Sequence, residues 1–198
     1  MNKNKHLRAV CATGILSALA FVLMMIEIPL SFIIPSFIKL DFSELPALIA
    51  SFAYGPVWGV AVCLLKNLMH LPIGTTGGVG ELSNFLLGAV FVFIAGLIYK
   101  KHKSKKSAFL GSVLGAVVMS VIGIFTNYYI VYPIYTAFMP MEAIIGMYHA
   151  ILPSVDNLWE ALIIFNTPFN IFKGLLDTLI CMLTYKKLTP ILKGSSKI

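Results

Sequence analysis

The chain has 198 residues, of which 59% are hydrophobic and 12% are charged, with a net charge of +7 and a mean hydropathy of +0.90. This composition excludes an ordinary soluble domain and is typical of an integral membrane protein. A helix needs about 20 apolar residues to cross the roughly 30 Å bilayer core. The apolar stretches and their breakers predict one all-α membrane domain, residues 1–198, with six transmembrane helices at about 7–28, 43–55, 57–71, 82–100, 108–138 and 165–187.

The positions of the basic residues favour an even number of spans. Twelve of the fifteen Lys and Arg residues fall into three clusters, within residues 3–8, 100–106 and 186–197. With six spans all three clusters lie on one side, as the positive-inside bias requires. The pattern therefore predicts that the N- and C-termini are both cytoplasmic. Nucleic-acid binding explains the charge poorly, because the cations occupy short connections and chain ends.

Three connections then lie on the outer side of the membrane. Residues 29–42 contain two prolines and alternating apolar residues, which predicts an irregular or strand-like loop between helices 1 and 2. Residues 72–80 contain four glycines, which permit either close approach of the backbone to a ligand or a flexible turn. Residues 139–164 form a long third connection. We expect such loops to be able to cover a cavity between the helices.

The last helix carries the sharpest candidate site. Asn170 and Lys173 are three residues apart and share one helix face, and Asp177 lies one turn further along it. Ionisable groups at membrane depth usually face the bundle interior or a water-filled cavity, because exposure to lipid is costly. Two interpretations remain open: Lys173 contacts a ligand, or it forms an internal pair with Asp177.

Further polar residues lie near the outer ends of other helices. Asn127 suits a planar heterocycle because an amide both donates and accepts, although a buried Asn also often bonds a neighbouring helix. Glu81 and Asn84 open the fourth span. Glu81 is favourable at a helix start through the macrodipole, or it accepts hydroxyl groups from a polyol. Lys39 is either a loop anchor or a substrate gate.

Lys66 interrupts an apolar helix. We expect it to form a structural ion pair with Asp41 or Glu44, and His70 to belong to the same polar seam. No His or Cys spacing predicts a metal site. An intramembrane enzyme would need a constellation such as His70 with Ser43 or Ser83, which no motif supports.

The first helix contains a pair of small residues, Gly14 and Ala18, at a spacing that permits close contact with another helix. The partner helix is either in this protein or in a second membrane protein.

Five segments together resemble the riboflavin-specific substrate-binding component of energy-coupling factor (ECF) transporters. These segments are 39–46 (KLDFSELP), 54–56 (YGP), 65–70 (LKNLMH), 76–85 (TGGVGELSNF) and 168–174 (PFNIFKG). The resemblance runs from about residue 7 to residue 192. It implies a bacterial plasma-membrane protein of six helices with an outward-facing vitamin pocket, and partners consisting of one transmembrane coupling protein and two cytoplasmic ATPases.

The resemblance also implies roles for individual residues. The flavin-contacting Asn and the Asn-x-x-Lys pair of that family correspond to Asn127, Asn170 and Lys173, and the coupling protein docks on Gly14 and Ala18. Riboflavin is then a transported substrate, with no cofactor and no catalytic residue. We expect the complete substrate-binding set to be Lys39, Asp41, Glu81, Asn84, Asn127, Asn170 and Lys173. The alternative ligands are FMN or another vitamin.

Overall fold

The computed structural model describes residues 3–193 and is almost entirely helical in that range. Its helices are α1 (Lys3–Met25), α2 (Glu44–Tyr54), α3 (Pro56–His70), α4 (Val79–Lys101), α5 (Lys105–Thr126), α6 (Tyr132–Tyr135), α7 (Met141–His149), α8 (Leu158–Ala161) and α9 (Thr167–Lys193). Two π-helical turns, π1 (Asn127–Val131) and π2 (Leu162–Asn166), join α5 to α6 and α8 to α9. Two short strands are β1 (Ile28–Pro29) and β2 (Lys39–Leu40).

The loop between α1 and α2 has the strand-like character that its sequence predicts. β1 and β2 pair antiparallel, with Ile28 opposite Leu40 and Pro29 opposite Lys39. The first helix therefore ends at Met25 rather than at residue 28, because the chain becomes extended to form this ladder. The ladder holds the segment before α2 in place across the helix ends.

The breaker between α2 and α3 acts as the sequence predicts. Gly55 has a φ of 114°, which only glycine adopts readily, and Pro56 begins α3. Two separate short helices result, of 11 and 15 residues.

The fifth and sixth predicted helices differ from the observed ones because each contains a π turn. Pro133 and Pro168 each lie two residues after the last residue of a π turn. Proline lacks an N–H and its ring crowds the preceding turn, and a wider π turn relieves both problems without ending the helix. The helical path that leads into α9 therefore begins at Leu158, seven residues before the predicted start, and Asn157 caps it by accepting a hydrogen bond from the Glu160 N–H. The long third connection also contains α7.

The buried apolar side chains form two clusters. One lies among α1 to α5 and α9, and includes Leu48, Val62 and Phe91. The other lies around π1, α7, α8 and π2, and includes Tyr132, Ile144 and Leu162. The space between the two clusters is the place where polar side chains collect.

Three helical stretches within residues 3–193 are long and apolar enough to cross a membrane, namely His6–Met25, Val79–Lys101 and Lys105–Tyr135. The start of α1, the α2–α3 turn and the α4–α5 loop lie at one end of the bundle. The His6 and Trp58 rings are 5.6 Å apart there, and Lys100 and Lys103 line a depression together with Pro56. Two of the predicted basic clusters therefore share this end, while Lys197 of the third lies outside the described residues.

Candidate functional site

A cavity lined by both polar and apolar side chains opens at the other end of the bundle, between the two apolar clusters. It has about 1200 Å³ of empty space when the solvent at its open mouth is included. Its walls come from the ends of α1 and α3, the β-ladder loop, α4 with the glycine loop before it, π1, and the first turns of α9. All seven of the predicted substrate-binding residues line it: Lys39, Asp41, Glu81, Asn84, Asn127, Asn170 and Lys173. Residues separated by up to 134 positions in sequence therefore meet at one site.

A closed ring of charged and polar groups forms one wall, and we call it the ionic ring. Lys173 Nζ lies 2.8 Å from Asp41 Oδ2 and 2.9 Å from Glu44 Oε2. Glu44 Oε1 accepts from Lys66 Nζ at 2.7 Å. Lys66 also donates to the Ser43 hydroxyl, which donates to Asp41 Oδ1 and so closes the ring. Two carboxylates and two ammonium groups make the ring electrically neutral.

The ring decides two of the questions that the sequence leaves open. Lys66 pairs with Glu44, as expected, and fastens α3 to α2. Of the two interpretations of Lys173, the internal pair with Asp177 is not formed, since Asp41 and Glu44 hold the Lys173 ammonium. The ring also orders the α1–α2 loop, because Asp41 belongs to that loop.

Asp41 lies in the loop and is fully covered. Burial by itself raises the pKa of the Asp41 carboxyl, but the ammonium groups of Lys173 and Lys66 and the hydrogen bonds from Lys173 and Ser43 outweigh it and hold that pKa below its usual range. Asp41 is therefore ionised and keeps Lys173 charged at the cavity wall.

Amide groups also line the cavity. Asn127 begins π1, lines the cavity and accepts a hydrogen bond from Ser83 Oγ on α4 at 3.1 Å. Asn127 therefore bonds a neighbouring helix and also faces the cavity, an arrangement that fits both interpretations of this residue from the sequence. Asn170 lies against α5, and a Cβ at Gly123 would be 3.4 Å from its Nδ2. Glycine at that position lets the α5 backbone approach the Asn170 amide.

A third amide, Asn166, was missed by the sequence analysis. Its Oδ1 accepts from the Tyr148 hydroxyl at 2.8 Å, and its Nδ2 donates to the Tyr132 hydroxyl at 3.1 Å. The two phenol groups also bond each other. Asn166 stands four residues before Asn170, a spacing that could have identified it, whereas no local signal identifies the partner Tyr148.

Glu81 and Asn84 lie at the start of α4. Glu81 Oε1 is 2.7 Å from His70 Nδ1, and Oε2 accepts from Thr76 at 3.1 Å. Asn84 Oδ1 accepts from Asn67 Nδ2 at 3.4 Å. His70 therefore pairs with Glu81 rather than joining Lys66. The two serines considered with His70 for an enzyme have other partners: Ser43 bonds Lys66 and Asp41, and Ser83 bonds Asn127.

The glycine loop packs closely over Glu81. Gly77 and Gly78 have φ values of 61° and 87°, which turn the chain into α4. A Cβ at Gly74 would lie 2.0 Å from Glu81 Oε1. Glycine therefore allows the positive φ values of the turn before α4 and lets the backbone at Gly74 pack closely against Glu81.

Lys39 lines the cavity and forms an ion pair with Glu27, just beyond the end of α1. Its charge is therefore compensated by a partner about one third exposed. Gly14 and Ala18 lie away from the cavity, on the exposed face of α1, and nothing lies within 4 Å of a Cβ built at Gly14.

The cavity combines hydrogen-bond donors and acceptors with aromatic walls. Phe37, Phe91, Tyr132 and Phe169 line it beside the amide groups. Aromatic faces stack on planar rings, and amide and ammonium groups bond the edge of such a ring. This arrangement suits a planar heterocycle that carries a polar tail.

Comparison with known proteins gives a consistent result. The family model described as "ECF transporter, substrate-specific component" matches residues 8–185. The riboflavin transporter RibU of Staphylococcus aureus (strain TCH60) is 36% identical over 98% of this chain and 95% of its own length. The riboflavin transporter FmnP of Bacillus subtilis (strain 168) is 34% identical over 89% of this chain and 90% of its own.

A solved structure gives the same answer for the fold. The S component of a bacterial ECF transporter superposes with a TM-score of 0.74 at 35% identity, covering 95% of this chain and 99% of that one. The chain therefore belongs to the family of substrate-specific components of ECF transporters, which are membrane transport proteins and not enzymes.

Proposed function

We propose that this chain captures riboflavin with high affinity on the extracellular side of a bacterial plasma membrane and delivers it to an ATP-driven importer. The observation that carries the proposal is the convergence of Asn127, Asn170 and Lys173 on one aromatic-walled cavity. The names of the relatives at 34–36% identity support the choice of vitamin.

The isoalloxazine ring lies between the amide groups and Lys173. Its edge alternates carbonyl acceptors with an N–H donor, and Asn127 and Asn170 supply both kinds of partner. Lys173 has three N–H donors; it donates one to Asp41 and forms an ion pair with Glu44. Donor capacity therefore remains for a flavin carbonyl, and Asp41 acts by holding the ammonium in place.

The ribityl chain lies toward the start of α4. Each Glu81 oxygen has one hydrogen-bond partner among the described residues, so the carboxylate retains capacity for further hydroxyl donors. Asn84 offers a neighbouring amide. Lys39 closes the mouth through its pair with Glu27, and this compensated charge favours uncharged riboflavin over the phosphate of FMN.

Six membrane crossings are formed by α1, α2, α3, α4, the α5–α6 path and the α8–α9 path, with both termini cytoplasmic. This topology is supported by the basic residues at the end of the bundle opposite the cavity, where the positive-inside bias requires cytoplasm. The cavity mouth then faces outward.

Transport requires a partner that supplies energy. A separate module of one transmembrane coupling protein and two cytoplasmic ATPases drives release of the vitamin. The coupling protein docks on the α1 face that carries Gly14 and Ala18, which is exposed along its length. Gly14→Leu should leave riboflavin binding unchanged and reduce co-purification with the module, whereas loss of binding in that variant would contradict the docking role.

Binding is measured by quenching of riboflavin fluorescence with detergent-purified protein. We expect tight binding of riboflavin, weaker competition by FMN, and none by folate. Lys173→Ala and Asn170→Ala should each weaken binding about tenfold to a hundredfold, the loss of one charged or buried hydrogen bond. Lys103→Ala, at the opposite end of the bundle, is the matched control. Failure of folded, unmodified protein to bind riboflavin would refute the proposal.

A further inference from the structure

Three carboxyl groups that line the cavity lie outside the ionic ring, and two of them, Glu27 and Glu81, have partners of their own. Asp177 is 1% exposed and lines the cavity one helical turn beyond Lys173. Neither of its side-chain oxygens has a hydrogen-bond partner among the described residues. The ring is already neutral, so an ionised Asp177 would add an uncompensated negative charge to the protein interior.

The charged and titratable groups that interact with Asp177 are Glu44 on α2, Cys63 and Lys66 on α3, Asp41 in the α1–α2 loop, and Lys173 and Cys181 on α9 itself. α5 packs on α9 through Ala116 and Met119, and residues 107–126 contain no titratable side chain. The two ammonium groups within this set are held by Asp41 and Glu44.

Burying an isolated carboxylate without a partner is so costly that such a group takes up a proton instead. A neutral carboxylic acid removes the excess charge and gains one O–H donor. At Asp177 that donor lies in the cavity wall, where a substrate atom can accept it.

We propose that Asp177 is a neutral carboxylic acid that keeps its proton at the inner end of the cavity and donates its O–H to an acceptor atom of the bound substrate. The acceptor is a carbonyl oxygen or an unprotonated ring nitrogen, which places the heterocycle edge between the charged donor of Lys173 and the neutral donor of Asp177. The donation to substrate rests on the proposed function, whereas the protonation of Asp177 does not.

The protonation is tested by infrared spectroscopy on ligand-free, purified protein at neutral pH. A protonated carboxyl gives a C=O stretch, distinct from carboxylate bands, that shifts in D2O. We expect this band in the unmodified protein and its loss in Asp177→Asn. The matched control is Asp156→Asn, which removes an exposed aspartate and should leave the band in place. Absence of an Asp177-dependent band, as an ionised carboxylate with or without a bound cation would give, overturns the inference.

The donation is tested by riboflavin binding to two variants of similar size. Asp177→Asn keeps a neutral donor and should bind within a few-fold of the unmodified protein. Asp177→Leu removes the donor and should bind about tenfold more weakly. Equal affinity of the Leu variant and the unmodified protein, or loss of folding in the Asn variant, would overturn the donor role. If unmodified protein binds no riboflavin, the proposed function fails, while the infrared band still decides the protonation.

Discussion

Replacing Lys66 with methionine tests whether the ionic ring holds α2 and α3 together. The Lys66 side chain is 0% exposed and its partner Glu44 is 4% exposed. Methionine fills a similar volume, so the main change is the loss of the ammonium. Glu44 then keeps only Lys173 as a cationic partner, and the ring carries a net negative charge.

The expected loss of stability follows from burial. Removing one partner of a buried ion pair costs about 3–5 kcal/mol, because the remaining charge stays buried. Since Lys173 still contacts Glu44 at 2.9 Å, we expect a value near the lower end of that range. The double variant Lys66→Met with Glu44→Gln removes both charges and should recover much of the loss.

The control is Lys39→Met. Lys39 also pairs with a glutamate, Glu27, but their side chains are 30% and 31% exposed. An exposed pair contributes about 0–1 kcal/mol, so this variant should be nearly as stable as the unmodified protein.

The free energy of unfolding is measured in mixed detergent by raising the fraction of denaturing detergent and following tryptophan fluorescence. Trp58 and Trp159 report on opposite ends of the bundle. Equal losses for Lys66→Met and Lys39→Met, or an unfolding free energy of Lys66→Met equal to that of the unmodified protein, would refute this account of the ring.

Two further predictions use the same unfolding assay. Gly88→Ala places a Cβ 3.0 Å from Glu44 Oε1 and should lower stability by about 1–3 kcal/mol, whereas Gly14→Ala has open space and should be at least as stable as the unmodified protein. Equal stability of these two variants would contradict the close packing at Gly88. Tyr148→Phe removes the donor to Asn166 Oδ1 and should cost about 1–3 kcal/mol and weaken riboflavin binding, so unchanged stability and binding would argue against a structural role for this amide network.

The sequence predicted the breaks between helices better than it predicted their ends. Gly55 and Pro56 divide α2 from α3 as expected, because a positive φ and a missing N–H act locally. The last helix was predicted to begin at about residue 165, yet the helical path begins at Leu158 and continues through Pro168. Whether a proline ends a helix or follows a π turn depends on what packs against the turn, and a local pattern does not contain that information.

The candidate site was also predicted only in part from the sequence. Helix spacing, side-chain chemistry and resemblance to a family all indicated Asn127, Asn170 and Lys173, and the structure brings them to one cavity. The sequence offered no means of choosing the partner of Lys173, because Asp177 has ideal helical spacing, whereas Asp41 is 132 positions away. Asn166 was missed because its partners come from distant elements.

The sequence by itself determined that this is a membrane protein, which end of the bundle carries the clustered cations, and the family to which the chain belongs. Those properties follow from composition and from short motifs, which are present in the sequence before any tertiary structure is known. Only the tertiary structure decided which charges neutralise one another. Ion pairing in a buried site depends on distances between elements far apart in sequence, and that pairing leaves Asp177 as the one carboxyl beside the ionic ring with no described hydrogen-bond partner for either oxygen.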